Sequence, residues 1–124
     1  MSIPEYYQTV MPYLILDDAS AFIAFAQKVF GAEQKMNHKG DDGETSHAEI
    51  VIGDSTIMIG QSNGQWQPQP AGLYINVDDA DESYQKALDE GAESVMELSN
   101  QDYGRSGGVK DAWGNTWWIT SPIK

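Results

Sequence analysis

The stretch LDDA at residues 16–19 recurs as VDDA at residues 77–80, an offset of 61. Two further pairs follow at almost the same offset: GAE at 31–33 with GAE at 91–93, and GDS at 53–55 with GNT at 114–116. Similarity at a nearly constant offset is the sequence signature of a duplicated structural unit. The chain is therefore predicted to contain two copies of one module.

Both copies predict the same elements in the same order. In the first, residues 11–16 form an apolar run typical of a strand, Asp17 or Asp18 can cap a helix, and Gly31 suits its end. Five apolar residues between them share one helical face: Phe22, Ile23, Ala26, Val29 and Phe30. In the second copy the corresponding helix is capped by Asp78 or Asp79, ends at Gly91 and carries the stripe Ala80, Tyr84, Ala87 and Leu88.

Three strand candidates follow each predicted helix. They lie at about 33–39, 45–52 and 55–60 in the first copy, and at about 93–98, 106–112 and 115–121 in the second. The sequence therefore predicts an α+β fold of two tandem βαβββ modules. We expect one domain over residues 1–124, with modules at 8–60 and 72–122 and a linker at 61–71 that is rich in Gln and Pro.

Composition narrows the possible partners. Seven Lys and Arg against nineteen Asp and Glu give a net charge of −12, which disfavours nucleic acid and anionic lipid. The chain has no Cys, so thiolate metal sites and disulfides are excluded. The apolar stretches are shorter than a membrane span and the first residues lack a signal-peptide pattern. We expect a cytoplasmic protein that binds neither nucleic acid nor membrane.

The sequence resembles the vicinal oxygen chelate superfamily, which includes glyoxalases, bleomycin-resistance proteins and extradiol dioxygenases. The matching stretches are PYLILDDA at 12–19, VFGAE at 29–33, QDYGR at 101–105 and DAWGNTW at 111–117. This resemblance implies a cup-shaped mixed sheet with the helices on its outside, a binding or active-site cavity, and a homodimer. It does not choose among lyases, isomerases, dioxygenases and drug-binding proteins.

The resemblance also implies where a metal would be held, with one His, Gln or Glu ligand on the first and the last strand of each module. In this sequence those four positions fall at Met11, Ile57, Gly72 and Trp118. None offers a side-chain ligand for a hard divalent cation. A shift of one residue in either direction does not restore the ligands, so we expect no metal and no cofactor.

Strand alternation predicts which side chains line the cup, because residues of like parity share a face. We expect Ile57 and Ile59 to point inward, and Ala48, Ile50 and Ile52 to pack under the helix. The candidate ligand-binding residues on the inner face are Tyr13, His47, Glu49, Tyr74, Asn76, Lys110, Trp118 and Thr120. Aromatic faces with a few polar groups suit a small organic ligand. The alternative is that the same aromatics form part of the core or of a dimer interface.

His47 and Glu49 are the weak candidates for catalysis. They lie two residues apart on one strand, so they share a face and could act as an acid–base pair. The alternative is a structural His47 with a Glu49–Lys110 ion pair, since Lys110 lies 61 residues after Glu49.

Three loop or loop-adjacent residues complete the candidate set. Tyr103 and Arg105 belong to a segment that borders the cavity in relatives, where Arg105 could orient an anionic or carbonyl-bearing ligand or form a surface ion pair. Trp66 lies in the linker, where it could close over a ligand or pack on a second subunit.

Three functions follow from these observations. The first is metal-free binding of a small organic molecule, cationic or aromatic, by a protein similar to bleomycin-resistance proteins. The second is a glyoxalase-like lyase or isomerase, or a dioxygenase, using an unrecognised metal or the His47 and Glu49 pair. The third is an interaction module whose cup is filled by its own side chains.

Overall fold

A computed structural model of the chain describes residues 2–124. The first module has β1 (Tyr13–Leu16), α1 (Ala19–Phe30), β2 (Glu33–Lys39), β3 (Thr45–Ile52) and β4 (Ser55–Gln61). The second has β5 (Gly72–Asn76), α2 (Ala80–Asp89), β6 (Glu93–Gln101), β7 (Gly104–Lys110) and β8 (Thr116–Ser121). The predicted α+β fold of two βαβββ modules is confirmed.

Each module folds its strands into a four-stranded mixed sheet of its own. The strand orders are β1-β4-β3-β2 and β5-β8-β7-β6, with the first strand parallel to its neighbour and the others antiparallel. The chain divides into two compact units, one ending at Pro70 and the other comprising Ala71–Lys124. Within residues 2–124, neither helix has the length and apolar character needed to cross a membrane.

The helix ends follow the predicted capping chemistry and add a device that the sequence did not reveal. Asp18 and Asp79 are the N-caps, each accepting from the backbone N–H three residues later, and Gly31 ends α1 at φ 69°. In addition, Gln61 Oε1 accepts from Ala19 N at 2.8 Å and Ser121 Oγ accepts from Ala80 N at 3.0 Å. The last strand of each module thus satisfies a free N–H of that module's helix.

Strand boundaries differ from the expectation at two places. β1 begins at Tyr13 rather than at Met11, although Pro12 O still accepts from Met58 N at 2.9 Å. β6 and β7 extend towards each other until Gln101 pairs with Gly104. Only residues 102 and 103 remain as the turn, and Gly104 adopts φ 145°, which a glycine accommodates without strain.

The predicted inward direction of Ile57 and Ile59 is wrong. They pair across β3 and β4 with Ile50 and Ala48, and directly opposed residues point to the same face of a sheet. All four are buried, on strands that contact α1. They therefore belong to the core of the first unit together with Leu14, Leu16 and Phe22.

The error has a clear origin, because the repeat offset is not constant. Tyr13 pairs with Met58 and Tyr74 pairs with Trp118, so Met58 rather than Ile57 corresponds to Trp118. Likewise Glu49 pairs with Met58 and Gly108 with Trp118, so Gly108 rather than Lys110 corresponds to Glu49. The offset between the copies is therefore 61 for β1 and β5, 60 for β4 and β8, and 59 for β3 and β7, so a single offset of 61 places the last two pairs in the wrong register.

Candidate functional site

Glu49 is a buried carboxylate on the face of the first sheet that carries Tyr13 and His47. It is 3% exposed, and its cross-strand neighbours on β2 and β4 are Met36 and Met58. A charge flanked by two thioether side chains needs hydrogen-bond donors from elsewhere. The structure supplies them from the segment before β1.

Tyr6 and Tyr7 donate to the two oxygens of Glu49. Tyr6 Oη lies 2.7 Å from Oε1 and Tyr7 Oη lies 2.6 Å from Oε2. The two rings meet edge to face, with centroids 5.2 Å apart. The segment is tied down further by Thr56, whose hydroxyl donates to Tyr6 O and whose N–H donates to Gln8 Oε1 at 2.9 Å.

These bonds determine the protonation states. Burial alone would raise the pKa of Glu49, but hydrogen bonds from Tyr7, Tyr6 and His47 outweigh it and hold the pKa below its usual value. The same bonds keep the phenols protonated, since the hydrogen bond to Glu49 raises the pKa of Tyr6 and raises that of Tyr7 to about 12. At neutral pH, Glu49 is an anion held by neutral phenols.

His47 links this carboxylate to Tyr13. Its Nε2 lies 3.3 Å from Glu49 Oε2, and its Nδ1 lies 3.1 Å from Tyr13 Oη. The ring of Tyr13 lies over Gly60, where an added Cβ would come within 3.1 Å of its Cε1 atom. The predicted residues Tyr13, His47 and Glu49 are thus brought together in one hydrogen-bonded chain.

In the second unit, Tyr74 and Trp118 pair on adjacent strands and expose their rings on one face of the sheet. Tyr74 is 56% exposed and Trp118 is 39% exposed. The Trp118 ring lies across Gly72, where a Cβ would be only 2.9 Å from Cζ3. Asn76 is exposed further along β5, so Tyr74, Asn76 and Trp118 lie on one accessible surface.

The remaining predicted residues have separate environments. Thr120 is buried and bonded to Ser106 at 2.8 Å, and Lys110 is exposed at the end of β7. Arg105 Nε donates to Asp81 at 2.9 Å, which is the surface ion pair offered as its alternative. Tyr103 is exposed in the β6–β7 turn and Trp66 in the segment after β4.

Sequence reasoning missed Tyr6 and Tyr7, which lie before the expected start of the first module. It offered Lys110 as the partner of Glu49, whereas among residues 2–124 the carboxylate has three donors from its own unit: Tyr6, Tyr7 and His47. The available signal was an adjacent pair of tyrosines, the polar-tipped aromatics that can bury a ring while donating to a carboxylate. That signal does not say which carboxylate is the acceptor.

Comparison with known proteins identifies the family. The family model of the Glyoxalase/Bleomycin resistance protein/Dioxygenase superfamily matches residues 8–119. The chain belongs to this superfamily. It is 31% identical over 125 aligned residues to Mb0911c of Mycobacterium bovis, an uncharacterised protein, covering 91% of this chain and 82% of that protein.

Solved structures from other organisms share this fold. TioX from Micromonospora sp. ML1 matches with a TM-score of 0.74 at 20% identity, covering 94% of this chain and 98% of that chain. TnmS3 from Streptomyces sp. CB03234, described as an antibiotic-binding protein, matches with a TM-score of 0.70 at 16% identity, covering 94% and 99%. At 16–20% identity, the similarity to these two structures shows a shared fold alone.

The metal site implied by the superfamily does not fit the residues present. With the register corrected, the four ligand positions hold Met11, Met58, Gly72 and Trp118. The Trp118 ring occupies the space beside Gly72, and a thioether is a ligand for soft metals only. Across residues 2–124, no three His, Asp or Glu side chains come together in a group that could hold a metal ion.

Proposed function

We propose that this superfamily member is a metal-free binding protein for a small organic molecule that carries an aromatic ring and a positive charge. The observation that carries the proposal is the exposed pair of Tyr74 and Trp118 on one sheet face. Trp118 stands at one of the positions where the resemblance implies a metal ligand, and Tyr74 lies beside it on the neighbouring strand. Aromatic surfaces of this kind favour stacking with planar ligands.

The glycine beneath the indole supports this reading. Gly72 leaves room for the edge of the Trp118 ring to approach β5, since an added Cβ would lie 2.9 Å from Cζ3. Trp118 is still 39% exposed, so part of its ring is accessible to a ligand. TnmS3, which has the same fold, is described as binding an antibiotic.

Charge favours a cation as the ligand. The chain carries a net charge of −12, and Lys110, exposed at the end of β7, has the acidic Glu93 as its cross-strand neighbour on β6. A strongly acidic protein concentrates cationic solutes at its surface and repels anionic ones. A cation can also stack on an indole face, with an attraction of about 0.5–1 kcal/mol at an exposed site.

Titration calorimetry with proflavine, a planar aromatic cation, and with anthraquinone sulfonate, a planar anion, tests the proposal. We expect saturable binding of the cation and weaker binding of the anion. Trp118→Ala should weaken proflavine binding roughly three- to tenfold, because a stacked aromatic pair contributes about 0.5–1.5 kcal/mol beyond its area. Trp113→Ala, in the β7–β8 turn, is the matched control and should leave binding unchanged.

Two results would overturn the proposal. Equal binding of proflavine to wild type and to Trp118→Ala would show that the aromatic pair is not part of the binding site. If neither probe binds or raises the melting temperature, the face serves only as packing surface.

Metal content is tested separately. The protein is incubated with nickel, zinc, iron and manganese, desalted and analysed for elements. We expect no stoichiometric metal, because the four ligand positions lack suitable side chains. About one metal ion per chain would contradict metal-free binding and would favour the enzyme alternative.

That alternative, acid–base chemistry by His47 and Glu49, has one supporting observation. His47 Nε2 lies 3.3 Å from Glu49 Oε2, so the imidazole and the carboxylate are hydrogen-bonded. Glu49 itself is poorly suited to accept a proton, because Tyr6 and Tyr7 donate to both of its oxygens. Its role in such chemistry is therefore to orient His47.

We also propose a homodimer, as is common in the superfamily. Light scattering coupled to size-exclusion chromatography tests it. A mass of twice 13.7 kDa supports the dimer and a mass of 13.7 kDa contradicts it.

A further inference from the structure

The hydrogen bonds of the first unit form an ordered chain from Glu49 through His47 to Tyr13. Because the Glu49 carboxylate is ionised, it can only accept, and His47 must carry a proton on Nε2. In the neutral imidazole, Nδ1 then has a free lone pair. Tyr13 Oη lies 3.1 Å from this nitrogen and donates to it.

The same arrangement of carboxylate, imidazole and hydroxyl activates nucleophiles in unrelated enzymes. The carboxylate sets the tautomer of the imidazole and stabilises the imidazolium, and the imidazole takes the proton of the hydroxyl. Here Tyr6 and Tyr7 hold the carboxylate in place, at 2.7 Å and 2.6 Å. The hydroxyl end of the chain is accessible, since Tyr13 is 51% exposed.

The second unit contains a natural control for this geometry. Tyr74 corresponds to Tyr13 on β5 and is similarly exposed, at 56%. The residue that corresponds to His47 is Ser106, which is buried and bonded to Thr120 at 2.8 Å. Two equivalent tyrosines therefore differ in that only Tyr13 hydrogen-bonds to an imidazole.

We propose that Tyr13 is a nucleophilic hydroxyl activated by His47, directed at electrophilic centres that carry a leaving group, such as activated esters. The new bond forms between Tyr13 Oη and the electrophilic atom, and the bond to the leaving group breaks. The phenol proton passes to His47 Nδ1, and the resulting imidazolium is stabilised by Glu49. This reactivity does not depend on the ligand-binding face of the second unit.

Labelling with p-toluenesulfonyl fluoride tests the proposal, because its adduct is stable. The Tyr13 oxygen replaces fluoride on sulfur, and peptide mass spectrometry gives the rate at each tyrosine. We expect Tyr13 to react about tenfold or more faster than Tyr74 in the same molecule, since a positioned general base contributes roughly 10²–10⁴-fold. Equal rates at Tyr13 and Tyr74 would overturn the proposal.

Two variants distinguish activation from simple exposure. His47→Gln removes the base and should lower the Tyr13 rate to that of Tyr74. Gly60→Ala keeps His47 but places a methyl group 3.1 Å from the Tyr13 ring. The methyl group should displace the Tyr13 ring from His47 and therefore lower the labelling rate as well. A fast Tyr13 in both variants would show that exposure alone accounts for its reactivity, and the Tyr74 rate reports independently on the second unit.

Discussion

Tyr7 Oη lies 2.6 Å from Oε2 of Glu49, so a side chain from the segment before the first strand satisfies a buried carboxylate on β3. Tyr6 makes the matching bond to the other oxygen. The carboxylate stands between Met36 and Met58, which offer it no donor. Without these tyrosines an ionised Glu49 would be poorly tolerated at this position, which makes the first segment part of the fold.

Glu49→Gln should destabilise the protein by about 1–3 kcal/mol, because the amide nitrogen cannot accept from a tyrosine hydroxyl and leaves one donor without its partner. Urea denaturation at neutral pH measures the loss. Glu97→Gln is the same change at an exposed strand position and should stay within about 0.5 kcal/mol of wild type. Equal losses in the two variants would contradict the role given to the Glu49 bonds.

The difference in unfolding free energy between wild type and Glu49→Gln should vary with pH in the acid range. The pKa of Glu49 is lowered in the folded state from a usual value of 4.5, so the advantage is fully present above 4.5. It decreases as pH falls through the lower folded pKa, where the carboxylate takes a proton. Denaturation curves of both proteins between neutral and acid pH give this difference, and a constant difference would be inconsistent with a lowered pKa.

Tyr7→Phe should remove the phenol that titrates at a pKa of about 12. Because this folded value lies above the usual 10.0, the contribution of the Tyr7 hydroxyl to stability is complete below 10 and is lost as pH rises through 12. Phenolate absorbance during alkaline titration provides the measurement. Tyr103→Phe, at an exposed turn, is the control and should leave the phenol with a pKa of about 12 unchanged. If that phenol disappears from the titration of Tyr103→Phe, its assignment to Tyr7 is wrong.

Asp111→Asn should weaken the second unit by about 3 kcal/mol. Its Oδ1 accepts from the backbone N–H groups of Trp113 and Asn115, both at 2.9 Å, and its Oδ2 accepts from Asn115 Nδ2 at 2.9 Å and Trp117 Nε1 at 2.8 Å. In Asp111→Asn, the amide nitrogen is itself a donor and cannot accept from the N–H groups it would face. The lost hydrogen bonds are those to a charged acceptor, which contribute about 1.5–3 kcal/mol. Asp102→Asn, in the exposed β6–β7 turn, is the control, and thermal melting distinguishes the two.

Gly72→Ala should move the Trp118 ring, because the new methyl group would lie 2.9 Å from Cζ3. We expect an altered tryptophan emission and weaker proflavine binding, with little effect on the first unit. Gly64→Ala, where a Cβ meets nothing within 4 Å, should alter neither. Unchanged binding in Gly72→Ala would argue against stacking on Trp118.

The internal repeat, its two capped helices and the order of strands follow from the sequence alone. These features depend on contacts between residues close in the chain: Asp18 bonds the N–H of Ala21, and Gly31 adopts the left-handed conformation that ends α1. The absence of side-chain ligands at the implied metal positions also needed no structure. It rests on residue identity, and the register error of one residue left it unchanged.

The tertiary structure alone decided which faces the strands present and what surrounds Glu49. Cross-strand register places Ile57 beside Ile50 in the core, and a slip of one residue reverses the face of a whole strand. Tyr7 and Glu49 are 42 residues apart, and no local pattern links them. Side chains distant in sequence meet only when the chain folds over the sheet, so the hydrogen-bonded site is a property of the packed structure.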